Sequence, residues 1–155
     1  MRCALQALGD QERTVVLADS FAGLPAPGSA GYQEDELDLS GLDYLSVPRG
    51  KVEELFESFG LLDGQVEFLE GWFHETLPRL RGRRFAILRL DGDLYSSTMV
   101  ALENLYPGLS RGGYVIVDDF QIDECRRAVE DYRAAVGSHE ELVPIDGSSV
   151  YWRRA

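Results

Sequence analysis

Five aspartates sit where apolar runs give way to loops: Asp19 after Val15 to Ala18, Asp91 and Asp93 after Phe85 to Leu90, and Asp118 and Asp119 after Tyr114 to Val117. Carboxylates in such numbers can bind a hard divalent cation or hold and move protons. Gathered on one edge, Asp91, Asp93, Asp118 and Asp119 would repel one another unless a cation sat among them, which makes a metal site the sharpest expectation. The opposing reading is structural: Asp91 caps a helix starting at Tyr95, and Asp118-Asp119 caps the helix after it. Spacing alone leaves both open. Asp19 carries the same duality. It is either an acceptor for ribose hydroxyls at a strand tip or a turn residue before Ser20.

The elements that would position these acids follow from periodicity. Phe85–Leu90 and Tyr114–Val117 are short β-branched or aromatic runs, whereas Met99, Leu102, Leu105 and Tyr106 recur at helical spacing between them. A strand, helix, strand unit results, and parallel strands joined this way place both carboxyl ends on the edge where open α/β sheets bind ligands. Upstream, Met1–Leu8 reads as the end of a helix closed by Gly9-Asp10, and Thr14–Ala18 as a buried strand. Residues Ala26 to Ser46 are rich in Gly, Pro, Ser and acids without periodicity, and read as a flexible loop or lid. Val47–Phe59 is helical, with Val52, Leu55, Phe56 and Phe59 on one face. Val66–Leu69 is a strand leading into Glu70-Gly71-Trp72-Phe73-His74, where the aromatics either floor a planar-ring pocket or belong to the core. Ile122–Val136 is a helix stopped by Gly137, with Ile122, Cys125, Ala128, Val129, Tyr132 and Val136 inward. Leu142–Ile145 and Val150–Trp152 form an antiparallel hairpin about Asp146-Gly147.

Composition narrows the partners. Fifteen basic against 27 acidic residues give a net charge of −12, which argues against nucleic acid and against an anionic membrane surface. Cys3 and Cys125 lack metal-ligand spacing, so neither a disulfide framework nor a zinc site is indicated. No apolar run approaches the ~20 residues of a membrane span, and the start lacks a signal-peptide pattern, so a cytoplasmic location is expected. The length suits one domain, and neither repeat nor linker divides it.

At this point Leu17-Ala18-Asp19-Ser20-Phe21, Phe68 to Phe73, Thr76-Leu77-Pro78, LRLDGDLYSST, LYPGLSRGGYVIVDDF and Val150-Tyr151-Trp152 can be taken together. In this order, over nearly the whole chain, they resemble the macrocin O-methyltransferase (TylF-type) family. That family comprises S-adenosylmethionine-dependent, magnesium-dependent sugar O-methyltransferases of natural-product biosynthesis. The resemblance implies a Rossmann-like class I methyltransferase fold, an α/β arrangement whose mostly parallel sheet ends in an antiparallel hairpin. It also implies Mg2+ on Asp91, Asp118 and Asp119, a spacing similar to that of catechol-type O-methyltransferases. Asp93 is then either the general base or an ordering residue. Cofactor contacts fall to Asp19 at the ribose, to Gly71, Trp72, Phe73 and His74 at the adenine, and also to Ser20 and Asp91. The implied substrate is a small-molecule glycoside.

The resemblance also implies a departure. Family members carry a helical region, a first strand and a glycine-rich turn ahead of the position matching Met1, and their strand order is 3-2-1-4-5-7-6. Residues 1–155 are thus expected to be a single partial methyltransferase domain, the C-terminal part of a longer enzyme, binding S-adenosylmethionine poorly on its own. The alternative is an inactive or accessory fragment that associates with a partner chain. A third reading, a metal-dependent hydrolase or nucleotide-binding module, lacks a nucleophile or phosphate loop. An exposed sheet edge also offers a route to a homo-oligomer.

Overall fold

A computed structural model describes residues 1–155. In chain order the elements are α1 (Arg2–Ala7), β1 (Val15–Asp19), α2 (Arg49–Ser58), β2 (Val66–Glu70), α3 (Phe73–Thr76), β3 (Phe85–Leu90), α4 (Tyr95–Leu105), β4 (Leu109–Val117), α5 (Asp123–Val136), β5 (Val143–Pro144) and β6 (Val150–Arg153). Short 3-10 turns at Asp43–Leu45, Leu77–Leu80 and Tyr106–Gly108 join them.

The strands form two separate sheets. β1 pairs with β2 in parallel, and the other four lie in the order β3-β4-β6-β5, with β3 parallel to β4 and the β5–β6 hairpin antiparallel. Placed end to end, β2-β1 and β3-β4-β6-β5 follow the expected family order with its central strand left out.

One face of the larger sheet is dry. Leu88, Leu90, Val115, Val117, Val150 and Trp152 point into it and join Met99, Leu102, Cys125, Ala128 and Val129 from α4 and α5 in one buried cluster. That cluster runs from Leu77 to Trp152, and Val15 is the one apolar side chain before Leu77 that is buried. Val16, Ala18 and Leu69 rest on the cluster's margin. Phe68 points the other way, toward Phe56 of α2, their rings 6.4 Å apart. On β3, β4 and β6 the matching opposite face carries Ile87, Arg89, Tyr114, Ile116, Tyr151 and Arg153. Ile87 is 44% and Tyr114 39% exposed there. Parallel sheets normally have both faces covered, so this bare face is a marked feature of the chain.

Several expectations change in detail. β4 begins at Leu109, because Gly112 donates to the Arg154 carbonyl and Arg154 to that of Gly113, extending the ladder through a stretch that reads as a turn. Leu55 of α2 and Phe59 just past its end are exposed, and of the four apolar residues expected on one face Val52 and Phe56 alone are partly buried. Val136 at the end of α5 is likewise exposed, beside Gly137 in the left-handed conformation that ends the helix. Instead of one apolar face, α4 buries nearly its whole circumference, including Ser96, Ser97, Thr98 and Asn104. In α1 it is Arg2 that is buried, paired with Asp63. Residues 26–46 are tied to the body of the domain by Asp35, whose Oδ1 accepts from Ser96 N at 2.9 Å, and by Glu124. The Glu124 Oε1 atom accepts from the N–H groups of Glu36 and Leu37. Both cysteines are free, and no helix is long and apolar enough to cross a membrane.

Candidate active site

Parallel pairing puts the tips of β1, β2, β3 and β4 on one edge, and the chemistry-bearing residues are there. A cleft of about 470 Å3, counting its open mouth, is lined by Asp19 and Ser20 after β1, by Trp72, Phe73 and His74 after β2, and by Asp91 and Gly92 after β3. Ser96, Ser97 and Val100 of α4 form one wall, and Leu24, Pro25 and Ala30 close the side nearest residues 26–46. Periodicity gives no hint of these last six. The small serines are buried by α4's position, and the loop residues reach the cleft through long-range docking.

Asp19 ends β1 and accepts from Phe21 N at 2.6 Å, fixing a tight turn in which Phe21 adopts a left-handed φ of 54°. It therefore serves the turn and lines the cleft at once. Gly71 does not line the cleft but shapes it. Its φ is 132°, and a Cβ there would lie 2.8 Å from Thr76 Cγ2, so only glycine lets the chain swing Trp72 and Phe73 inward. Phe73 both faces the cleft and packs on the core, so the two readings of that aromatic pair coexist.

The four remaining acids form a group beside the cleft. Asp91 is pushed above the ordinary carboxylate range, first by burial and then by the charge of Asp119. Burial and then Asp91 raise Asp93; burial and then Asp93 raise Asp119. Asp91 and Asp118 share the Arg89 guanidinium, so the tips of β3 and β4 lie side by side. The capping alternative fails on geometry. The amide of Ser96 is held by Asp35, and neither α4 nor α5 has a side-chain cap from its preceding residue. Asp93 holds a left-handed φ of 55°, a conformation that non-glycine residues keep where surrounding structure imposes it. One oxygen, Asp119 Oδ2, is buried without a partner.

Arg89, which sequence reasoning passed over, supplies the positive charge in this group. Its Nη2 lies 3.2 Å from Asp91 Oδ2 and is hydrogen-bonded to Asp118 Oδ2. Beneath the acids, Thr98 donates to Cys125 Sγ at 3.4 Å. Burial, ahead of every other influence, pushes that thiol up to about 11, so it stays neutral. The donor set of hard carboxylate oxygens with one orphan fits a divalent cation such as Mg2+. As arranged, with Arg89 holding two of the acids, no three of them converge on one point.

Comparison with known proteins places this geometry. The macrocin-O-methyltransferase (TylF) family matches residues 1–154. A Streptomyces olivaceus 8-demethyl-8-(2,3-dimethoxy-alpha-L-rhamnosyl)-tetracenomycin-C 4'-O-methyltransferase is 51% identical, covering 99% of this chain and 59% of the relative. The Streptomyces niveus demethyldecarbamoylnovobiocin O-methyltransferase is 46% identical, covering 99% of this chain and 60% of the relative. The chain therefore spans about three-fifths of these curated relatives. Among solved structures, the O-methyltransferase NovP superposes with a TM-score of 0.94 at 46% identity, over 100% of this chain and 65% of that one. The calicheamicin methyltransferase CalS11 shares the fold, with a TM-score of 0.72 at 24% identity over 97% of this chain and 65% of that one.

Proposed function

The chain belongs to the macrocin-O-methyltransferase (TylF) family, and from that premise we propose that it carries the acid-bearing part of an S-adenosylmethionine- and Mg2+-dependent O-methyltransferase acting on a sugar hydroxyl of a natural-product glycoside. The observation that carries this reading is the juxtaposition of an aromatic-walled cleft with four uncapped acids on one sheet edge.

Each residue has a task. Asp19 accepts hydrogen bonds from the ribose hydroxyls with Ser20 beside it, while Trp72, Phe73 and His74 bound the adenine and Gly71 allows their approach. Asp91, Asp118 and Asp119 are the residues that would hold Mg2+, with Asp119 Oδ2 free to bond. When bound, the ion lowers the pKa of the acceptor hydroxyl and fixes its direction. Asp93, raised by burial and by Asp91, takes the proton that leaves the hydroxyl oxygen as that oxygen gains the methyl group. The net charge of −12 favours a small-molecule partner over nucleic acid or an anionic membrane surface.

Two measurements test the reading. Mn2+ titrated into the chain in place of Mg2+, followed by electron spin resonance, should report one bound ion, with affinity falling at least about tenfold in Asp118→Asn and Asp119→Asn. A site indifferent to both substitutions removes the metal assignment. In complete enzyme, methyl transfer to a glycoside and not to its aglycone supports the sugar acceptor, and the reverse preference removes it.

A further inference from the structure

Six side-chain polar atoms are buried with no hydrogen-bond partner. Three belong to groups bonded through their other atoms: Arg2 to Asp63, Glu124 to the amides of Glu36 and Leu37, and Arg133 to the Glu140 carbonyl. Trp152 Nε1 is enclosed in the core, where Arg133 lies over the ring, and Asp119 Oδ2 sits in the acid group. The sixth is Ser96 Oγ. Ser96 is 1% exposed, and of the six residues it alone lines the cleft.

A buried hydroxyl without a partner is costly, and within a helix a serine has an easy remedy in the backbone carbonyl one turn back. Ser96 does not take it. Its amide is held by Asp35 Oδ1 at 2.9 Å, so the first turn of α4 is fixed while the hydroxyl stays unused. The surroundings limit what could use it. A Cβ on Gly92 would lie 3.1 Å from Ser97 Cβ and 3.6 Å from Phe73 Cε2, so the chain after β3 passes closely between α4 and the aromatic pair. Trp72 and Phe73 on one side and the start of α4 on the other suit a flat ring whose edge carries hydrogen-bonding atoms. Asp35 beside Ser96 and Asp91 in the same lining make this end of the cleft negative. Such a field favours a ring substituent that presents hydrogens over one that presents a carbonyl oxygen.

We infer that Ser96 Oγ accepts a hydrogen bond from the exocyclic amine of the adenine ring and makes the cleft selective for a 6-amino over a 6-oxo purine. The inference rests on the cofactor reading of the cleft and adds to it the residue that reads the base. In the free chain the bare hydroxyl is a net cost, and the bound ring removes it. Ser96 thus trades stability of the free chain for recognition of the ligand.

The test joins stability to binding. Ser96→Ala deletes the bare hydroxyl and should raise the urea midpoint of the free chain by about 0.5 M, the opposite of losing a structural bond. In calorimetric titrations taken to millimolar ligand, the same variant should bind S-adenosylhomocysteine about three- to tenfold more weakly than wild type does. S-inosylhomocysteine carries a 6-oxo group in place of the amine. It should bind wild type about tenfold more weakly than S-adenosylhomocysteine, and should bind the variant as it binds wild type, so that the preference falls to about threefold or less. A midpoint unchanged or lowered overturns the inference, because the hydroxyl would then be satisfied in the free chain. A raised midpoint with S-adenosylhomocysteine affinity unchanged, or with both ligands weakened alike, overturns it too. Equal binding of the two ligands by wild type removes the base selectivity and leaves the cofactor reading standing. Binding of neither ligand by wild type at millimolar concentration removes the cofactor reading and this assignment with it.

Discussion

Asp35 and Asp91 stand at opposite ends of a single argument, and replacing each in turn separates structure from chemistry. Asp35 is buried at 6% exposure, and its carboxylate accepts the Ser96 amide in the first turn of α4. Losing a charged cap at a helix start costs about 1–2 kcal/mol. For a chain of this size, with a urea m-value of about 2 kcal/mol/M, Asp35→Ala should lower the midpoint by about 0.5–1 M. Asp91→Asn should do the reverse. Burial and then Asp119 raise the Asp91 pKa above its unfolded value, so the native state holds the site's proton to higher pH than the unfolded state does. Wild-type stability is therefore lost as pH rises through that window, and at neutral pH the ionised group is a net cost. The amide variant should match or exceed wild type at pH 7, with any advantage vanishing below the ordinary carboxylate range. Equilibrium urea unfolding at pH 7 and pH 4, followed by tryptophan fluorescence with equal m-values, measures both. An Asp91→Asn midpoint lowered as much as that of Asp35→Ala would refute the reasoning, since Asp91 would then be a structural residue.

Two further substitutions probe the edge. Gly71→Ala should cost about 1–3 kcal/mol from its φ of 132° and the contact with Thr76 Cγ2, with Thr76→Ser recovering only the steric part. Thermal melts of the single and double variants check this, and full recovery would refute the conformational share. Arg89→Met removes the guanidinium between Asp91 and Asp118, and because the pair is half exposed the loss should stay below about 1 kcal/mol. Millimolar Mg2+ should restore the midpoint of that variant, and failure to do so would count against the acids as a cation site.

The central unit was legible because its signals are local. Phe85–Leu90 and Tyr95–Leu105 take the bounds their periodicity predicts, and the acids follow the strands to one edge. What was not legible depends on contacts distant in sequence. Met99, Leu102 and Leu105 identify an apolar stripe on α4, but nothing near them announces that Ser96, Thr98 and Asn104 are also enclosed. Their partners are Asp35, Cys125 and Arg81, each far along the chain. Arg89 carries no signal of its own within the Phe85–Leu90 run, and its place between two acids follows from the register of β3 against β4. Leu55 and Phe59 fit a helical stripe as well as Val52 and Phe56 do, yet the two-stranded sheet beneath α2 is too narrow to cover all four. The apolar run begins only at Tyr114, whereas pairing of Gly112 and Gly113 with Arg154 extends the strand back to Leu109.

The lopsided placement of the buried cluster has a thermodynamic consequence. Nearly all the apolar burial lies from Leu77 onward, so the two halves of the cleft belong to units of unequal cooperativity. Asp91, Asp93, Asp118 and Asp119 ride on the well-anchored unit, while Asp19 and Ser20 ride on a two-stranded ribbon that opens at lower free energy. A ligand touching both must spend part of its binding energy in closing that ribbon, and binding and local folding become a single linked equilibrium.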